Sequence, residues 1–163
     1  MATTPAPDVL GRDLLALYHS GDGRHEDLDL TTAGAASTGS SGGLAPGQVA
    51  EDLLATGAVD NATQAVIHRI KTVQGELADL GHPEYGSRHH SLIGQPNNVR
   101  NRNLVKLYIL QALALEPRIR KILSASVVAD PQPDRVTIAL SLSFVGSTTP
   151  TNLVIPFSLA GPV

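Results

Sequence analysis

The 163-residue chain contains no cysteine and no tryptophan. Without cysteine there is no disulfide, no thiolate nucleophile and no cysteine-ligated zinc or iron–sulfur centre. The same absence fits a reducing compartment. Aromatic residues are 3% of the chain against 42% hydrophobic residues, so its core must be aliphatic. No apolar run approaches the ~18–20 residues of a membrane span. The start, MATTPAPDVLGRD, lacks the basic residues followed by an apolar stretch that mark a secretory signal. The expectation is a soluble single domain, long enough to bury a core, with cytoplasmic assembly and no membrane partner.

What is present is unevenly charged. Residues 1–60 hold nine acids against Arg12 and Arg24, whereas residues 61–163 hold ten bases against six acids. Solvated faces account for such an imbalance, and a particle with an acidic and a basic end accounts for it too. The basic residues are few and lack interleaved aromatics for base stacking, so nucleic acid is not an expected partner.

Residues 8–19 have the spacing of a short helix burying Val9, Leu14, Leu15 and Tyr18, although Gly11 weakens it. In EDLDLTT (26–32), Leu28 and Leu30 alternate with acids as in a strand. The stretch AGAASTGSSGG (33–43), extended to residue 48, offers nothing to offset ordering entropy and reads as a flexible loop. Asn61 and Gln64 resemble a capping box. The recurrence of Val59, Ala62, Val66, Ile70 and Val73 then predicts an amphipathic helix over about 61–73, with His68, Arg69 and Lys71 off its apolar stripe and Gly75 as its stop. Residues 76–96, rich in Gly and Pro, read as a structured loop with at most one short helix near 87–93.

The longest helical pattern covers about 98–115, apolar nearly all round from Leu104, which predicts burial on several sides. Pro117 interrupts it, and Ile119, Ile122 and Leu123 predict one or two further helical turns, with proline at their first position. The C-terminal third changes period. DPQPD (130–134) is a turn cluster, and Val136, Ile138, Leu140, Leu142 and Phe144 alternate with small polar residues as in a half-buried strand. Leu153, Ile155, Phe157 and Leu159 predict a last strand. Pro156 within it cannot donate to a ladder, which places that strand at a sheet edge. The fold class is therefore α+β, with helices packed on a small antiparallel three-stranded C-terminal sheet.

The candidates for chemistry are sparse. Glu76, Glu84 and Glu116 are the acids available for a glycosidase pair, but their spacing supplies no test. His82, His89 and His90 with Glu84 are dense, yet they lack the spacing of ligands on one helix face. No phosphate loop or nucleophile elbow occurs. The reading is no catalytic residue, no metal and no cofactor. Two features stand apart from an ordinary core: the loop His82-Pro83-Glu84-Tyr85-Gly86-Ser87, with one of the five aromatics, and the Glu116-Pro117-Arg118 corner, from which Arg118 and Arg120 project.

These two features, in this order, resemble the lysozyme-like baseplate wedge family of contractile phage tails, which has relatives in type VI secretion and extracellular contractile injection systems. The resemblance covers residues 50–159 through DNATQAVIHRIKTVQGEL, HPEYGSRHHSLIG, a helix ending in EPRIRKI, and the closing strands. It implies a structural, non-enzymatic role, present in several copies around a ring-shaped baseplate and joining the wedge to the first ring of the sheath. It further implies contacts with wedge proteins at Glu116, Pro117, Arg118 and Arg120 and at the loop residues His82, Pro83, Tyr85 and Gly86. Sheath strands would be accepted on the edge formed by Leu153, Ile155, Pro156 and Phe157, with tube or hub proteins as further partners. The family's older name keeps open a peptidoglycan-cleaving enzyme, and the same fold resembles a cytoplasmic anti-adaptor regulator of a stress sigma factor.

Overall fold

The computed structural model describes residues 10–14, 16–17, 27–28, 30–32, 51–53 and 55–160. The small-residue stretch at 33–48 lies outside them. Six short strands come first: β1 (Arg12–Leu14), β2 (Ala16–Leu17), β3 (Asp27–Leu28), β4 (Leu30–Thr32), β5 (Glu51–Leu53) and β6 (Ala55–Gly57). They pair antiparallel as β1 with β6, β2 with β3, and β4 with β5. The alternating leucines at 28 and 30 thus mark strands, as expected. The helix expected over 8–19 is not formed: its described residues after Gly11, whose φ is +68°, run extended into β1 and β2.

Helix α1 spans Ala58–Lys71. Its buried stripe is Ala62, Val66 and Ile70, with Val59 packed alongside. The helix starts three residues before Asn61, so no capping box forms there. Asn61 instead donates from Nδ2 to the Leu10 carbonyl at 2.6 Å, tying in the N-terminal strands. Nor does Gly75 end the helix. Thr72 is already extended, and Val73, expected in the stripe, is 46% exposed. Residues 73–74 leave the helix to pair in parallel with Ser87.

Two short 3-10 turns, Ala78–Leu80 and Arg88–Leu92, occupy the Gly- and Pro-rich loop, one more than its sequence indicates. Helix α2 (Val99–Ala114) begins at Asn98, whose side chain accepts from the Asn101 N–H at 2.8 Å. It buries Val105, Ile109, Ala112 and Leu113. Its opposite side is open, with Leu107 and Val99 exposed, so it is not enclosed all round.

The C-terminal sheet is an antiparallel meander in the order β7-β8-β9, formed by β7 (Ile119–Ala129), β8 (Arg135–Phe144) and β9 (Thr151–Ser158). Val136, Ile138, Leu142 and Phe144 on β8 are at most 1% exposed, and they form the floor on which the helices pack. Burying side chains of this size stabilises by about 1.5–3 kcal/mol each. Pro156, opposite Thr137, lies in an edge strand, as a residue without a ladder donor requires.

The helical turns expected after Pro117 are absent; β7 starts there instead. The cause is visible in the register. Irregularities between Ile119 and Lys121 and between Ile122 and Ser124 insert extra residues into β7. Its inward side chains therefore fall at 119, 122, 125 and 127. Spacings of three imitate a helix, although the backbone is a twice-bulged strand.

Candidate functional site

The chain enters the corner from the last turn of α2. The Glu116 N–H donates to the Leu113 carbonyl at 3.1 Å, and the Ile119 N–H donates back to the Glu116 carbonyl at 3.1 Å. Residues 116–119 are thus a β-turn with Pro117 at its second position, where the ring's fixed φ suits the bend. Pro117 is exposed and Arg118 half-exposed, while Glu116 is only 5% exposed.

The buried Glu116 carboxylate faces inward and is held from two sides. Arg118 Nε donates to Oε1 at 2.6 Å. Arg69, from the last turn of α1, donates to Oε2 from Nε at 3.2 Å and from Nη2 at 3.2 Å. Burial acts to raise the Glu116 pKa, but the Arg118 hydrogen bond and both guanidinium charges outweigh it, and the carboxyl is held below its usual range. A general acid for glycosidic cleavage needs the opposite shift. The other two candidate acids are also engaged: Glu76 accepts from the Val73 N–H at 3.1 Å, and Glu84 from Gln74 Nε2 at 3.2 Å.

Arg69 also reaches the second feature. Its Cζ lies 4.5 Å from the centroid of the Tyr85 ring, a separation at which a guanidinium is attracted to an aromatic face. One side chain therefore joins the two stretches that the sequence singled out. Desolvation raises the Tyr85 pKa, with the neighbouring charges acting in both directions. The sequence placed Arg69 off the stripe of α1; the structure buries it at 9% exposure. Its basic character hid this, because a charged side chain enters a core only when a counter-charge waits there.

The loop that carries Tyr85 is shaped by its backbone. The Tyr85 N–H donates to the His82 carbonyl at 3.1 Å, closing a turn with Pro83 at its second position. Ser87 then pairs with the strand-like exit of α1, its N–H on the Thr72 carbonyl at 2.9 Å. Gly86 lets this happen. Its φ is +96°, and a Cβ there would lie 2.7 Å from the Thr72 oxygen and 2.8 Å from Val73 backbone atoms. Gly86→Ala is expected to cost about 2–4 kcal/mol, combining left-handed strain with a clash against immobile backbone. Urea unfolding checks it; a midpoint equal to the wild type would show that the loop does not need this approach.

His82 and Pro83 are exposed in that turn, whereas His89 and His90 turn inward. His89 is 1% exposed, with Nδ1 2.9 Å from Ser87 Oγ and its ring 4.5 Å from that of Phe157, edge-on. His90 Nε2 lies 3.0 Å from the Ile70 carbonyl and must be its donor. These rings therefore bind loop, helix and sheet together. Among the described residues no three His, Asp or Glu side chains gather as a metal set. Ser87 is fully buried, so its pairing with His89 is enclosed away from any substrate.

The strand residues lie elsewhere. Leu153, Ile155 and Phe157 turn their side chains toward the core, half-buried, and Pro156 faces outward. The structure brings the loop and the corner together and leaves β9 as a separate sheet edge. Arg120 is exposed at the start of β7. Among the described residues no helix is long and apolar enough to cross a membrane.

Two helices against a three-stranded C-terminal meander define an α+β fold that is also found in a solved structure. No protein-family model matches the chain, and no curated protein does. The fold is similar to that of a Geobacter sulfurreducens protein whose crystal structure bears the provisional name tail lysozyme. The two share 24% sequence identity at a TM-score of 0.56, over 66% of this chain and 96% of that one. At this identity the likeness is one of fold.

Proposed function

We propose that the chain is a structural part of a contractile, phage tail-like particle, where it joins the baseplate wedge to the first ring of the sheath. The observation that carries this reading is the Arg69–Glu116–Arg118 lock with Tyr85 stacked on it. It turns the two features that resemble the wedge family into one preformed surface. Glu116 contributes from inside by fixing the corner; Pro117, Arg118 and Arg120 are the groups that a wedge protein meets. A preformed surface loses little entropy on docking, which favours assembly.

The sheath side of the proposal rests on the sheet. Among the described residues, β7 and β9 each pair on one side only, which leaves two edges. Open edges are ordinarily blunted; in an assembly protein they accept a strand from a partner through main-chain bonds. Pro156 interrupts the β9 edge, so the continuous part for a sheath strand is Thr151–Ile155. The fold's likeness to a structure named tail lysozyme supports the particle, and the ion-paired state of Glu116 supports a non-enzymatic role.

Arg120 is the residue with which to test it. Charge reversal at Arg118 would set a second carboxylate beside Glu116 and disturb the corner itself, whereas Arg120 is exposed. Arg120→Glu is expected to abolish co-purification with wedge proteins and to stop sheath assembly, with a Tm within about 2 °C of the wild type, as for a surface substitution. Sheaths of normal number and length built with this variant would overturn the anchoring role.

A further inference from the structure

Two clefts open side by side next to the corner, and they share Leu115, which is 53% exposed. One, of about 310 Å³, lies among Arg69, His82, Pro83 and Tyr85. The other, of about 390 Å³, lies among Gln74, Arg88, Tyr108, Gln111 and Ala114. Each contains an arginine stacked on a tyrosine: Arg69 Cζ is 4.5 Å from the Tyr85 centroid, and Arg88 Cζ is 5.2 Å from that of Tyr108. In a chain with only five aromatic residues, two of them stand on this one face. Tyrosine and arginine around an exposed leucine is the composition of an interface centre.

The charge of the face selects its partner. Arg69 commits Nε and one Nη2 hydrogen to Glu116, which leaves further N–H groups of its fork unspent. Arg88 meets no carboxylate among the described residues. Glu116 is shared by Arg69 and Arg118, and Glu84 accepts from Gln74, so the three guanidiniums of the corner and clefts outnumber their two carboxylates by one. The open side of α2 continues the same surface with Leu107, and α2 carries Arg100, Arg102 and Lys106 but no acid.

We infer that the paired clefts form one docking groove for an acidic segment of another protein, which seats an apolar side chain on each side of Leu115 and places carboxylates against Arg69 and Arg88. Tyr85 and Tyr108 keep the two guanidiniums oriented toward the groove. A bidentate carboxylate on a guanidinium already fixed by stacking needs little further ordering. The inference deepens the wedge contact proposed above and rests on that reading only for the identity of the partner.

The absence of cysteine allows a site-specific test. Gln111→Cys, exposed at the mouth of the groove, is labelled with a benzophenone maleimide in the full chain; Lys121→Cys, exposed beside the corner, is labelled in parallel to mark it. Each is cross-linked in cells that make the whole particle, and the attached segment is sequenced by mass spectrometry. The expected product from 111 is one segment with two apolar residues among Asp or Glu. Arg88→Glu should reduce its yield tenfold or more, as loss of a buried charge pair does, while Leu115→Glu should do the same by replacing the apolar divide with a carboxylate that repels an acidic segment. Both positions are exposed, and an unchanged Tm verifies folding. A basic or uncharged segment, a second copy of this chain, or no product at 111 while 121 still cross-links a wedge protein would overturn the groove and leave the assembly role intact. An acidic segment from a protein foreign to the particle would keep the groove and overturn the assembly role.

Discussion

Glu116→Ala is expected to lower stability by about 3–5 kcal/mol, the cost of stranding a buried charge by removing its partner. The carboxylate is 3% exposed at its side chain, and Arg69 beside it is 10% exposed. Without Glu116, the Arg69 guanidinium would be left without its counter-charge at a side chain only 10% exposed. A domain has roughly 5–15 kcal/mol in all, so the loss is a large share of the total. For a chain of this length it corresponds to a Tm decrease on the order of 10 °C. Arg69→Met in the same molecule should recover part of it, because removing both ends of a buried pair is far cheaper than removing one. Calorimetry on the three variants gives the coupling directly. A single variant within 1 kcal/mol of the wild type would mean that the lock does not hold the corner.

The same pair sets an acid limit. The folded-state pKa of Glu116 is lowered, so its stabilisation is complete above the ordinary carboxyl value of 4.5 and is lost as pH falls below that value. Any loss of stability at milder acidity must come from another group.

The contrast between corner and strands shows what the sequence makes legible. The period-two alternation of β8 was readable because all five of its inward residues are large and its outward ones small or polar. Pro156 located an edge strand by a single missing donor. The loop and the corner were each visible through proline and glycine chemistry. Their meeting was not. It depends on Arg69, a residue with no apolar signal, reaching across 47 positions to Glu116. The start of β7 misled for a local reason: its bulges spread Ile119, Ile122 and Ala125 at the interval of a helix turn. A residue pattern reports side-chain direction, and two backbone geometries with the same directions leave the same pattern. Asn61 misled in a similar way, because a good capping residue is also a good bridge to a carbonyl 51 positions away.

Between pH 6.5 and 4.5 the protein is expected to lose roughly 2 kcal/mol through His89 alone. Burial lowers the pKa of this imidazole from 6.5 to about 3, helped by the His90 ring beside it. In the unfolded chain His89 takes up its proton near 6.5, whereas in the fold it stays neutral until about 3. The unfolded state therefore binds more protons across that window, and stability falls as pH falls, at about 1.4 kcal/mol per unit. The stabilisation is complete above 6.5, and roughly 5 kcal/mol is gone by pH 3 if unfolding has not already intervened. The geometry explains the resistance to protonation. One ring nitrogen is committed to Ser87 Oγ, Phe157 presents its ring edge-on, and among the described residues the charge that acts on it is that of His90, not of a carboxylate. The window above 4.5 separates this effect from that of Glu116. Urea titrations at pH 7.5, 6.0, 5.0 and 4.5 should show the slope in the wild type and a flatter profile in His89→Gln. The consequence would be felt at the proposed docking face, since the Arg88–Leu92 turn that carries His89 also holds Arg88 over Tyr108. Equal slopes in the two proteins would place the charged form of His89 within the folded state and remove it as the source of acid sensitivity.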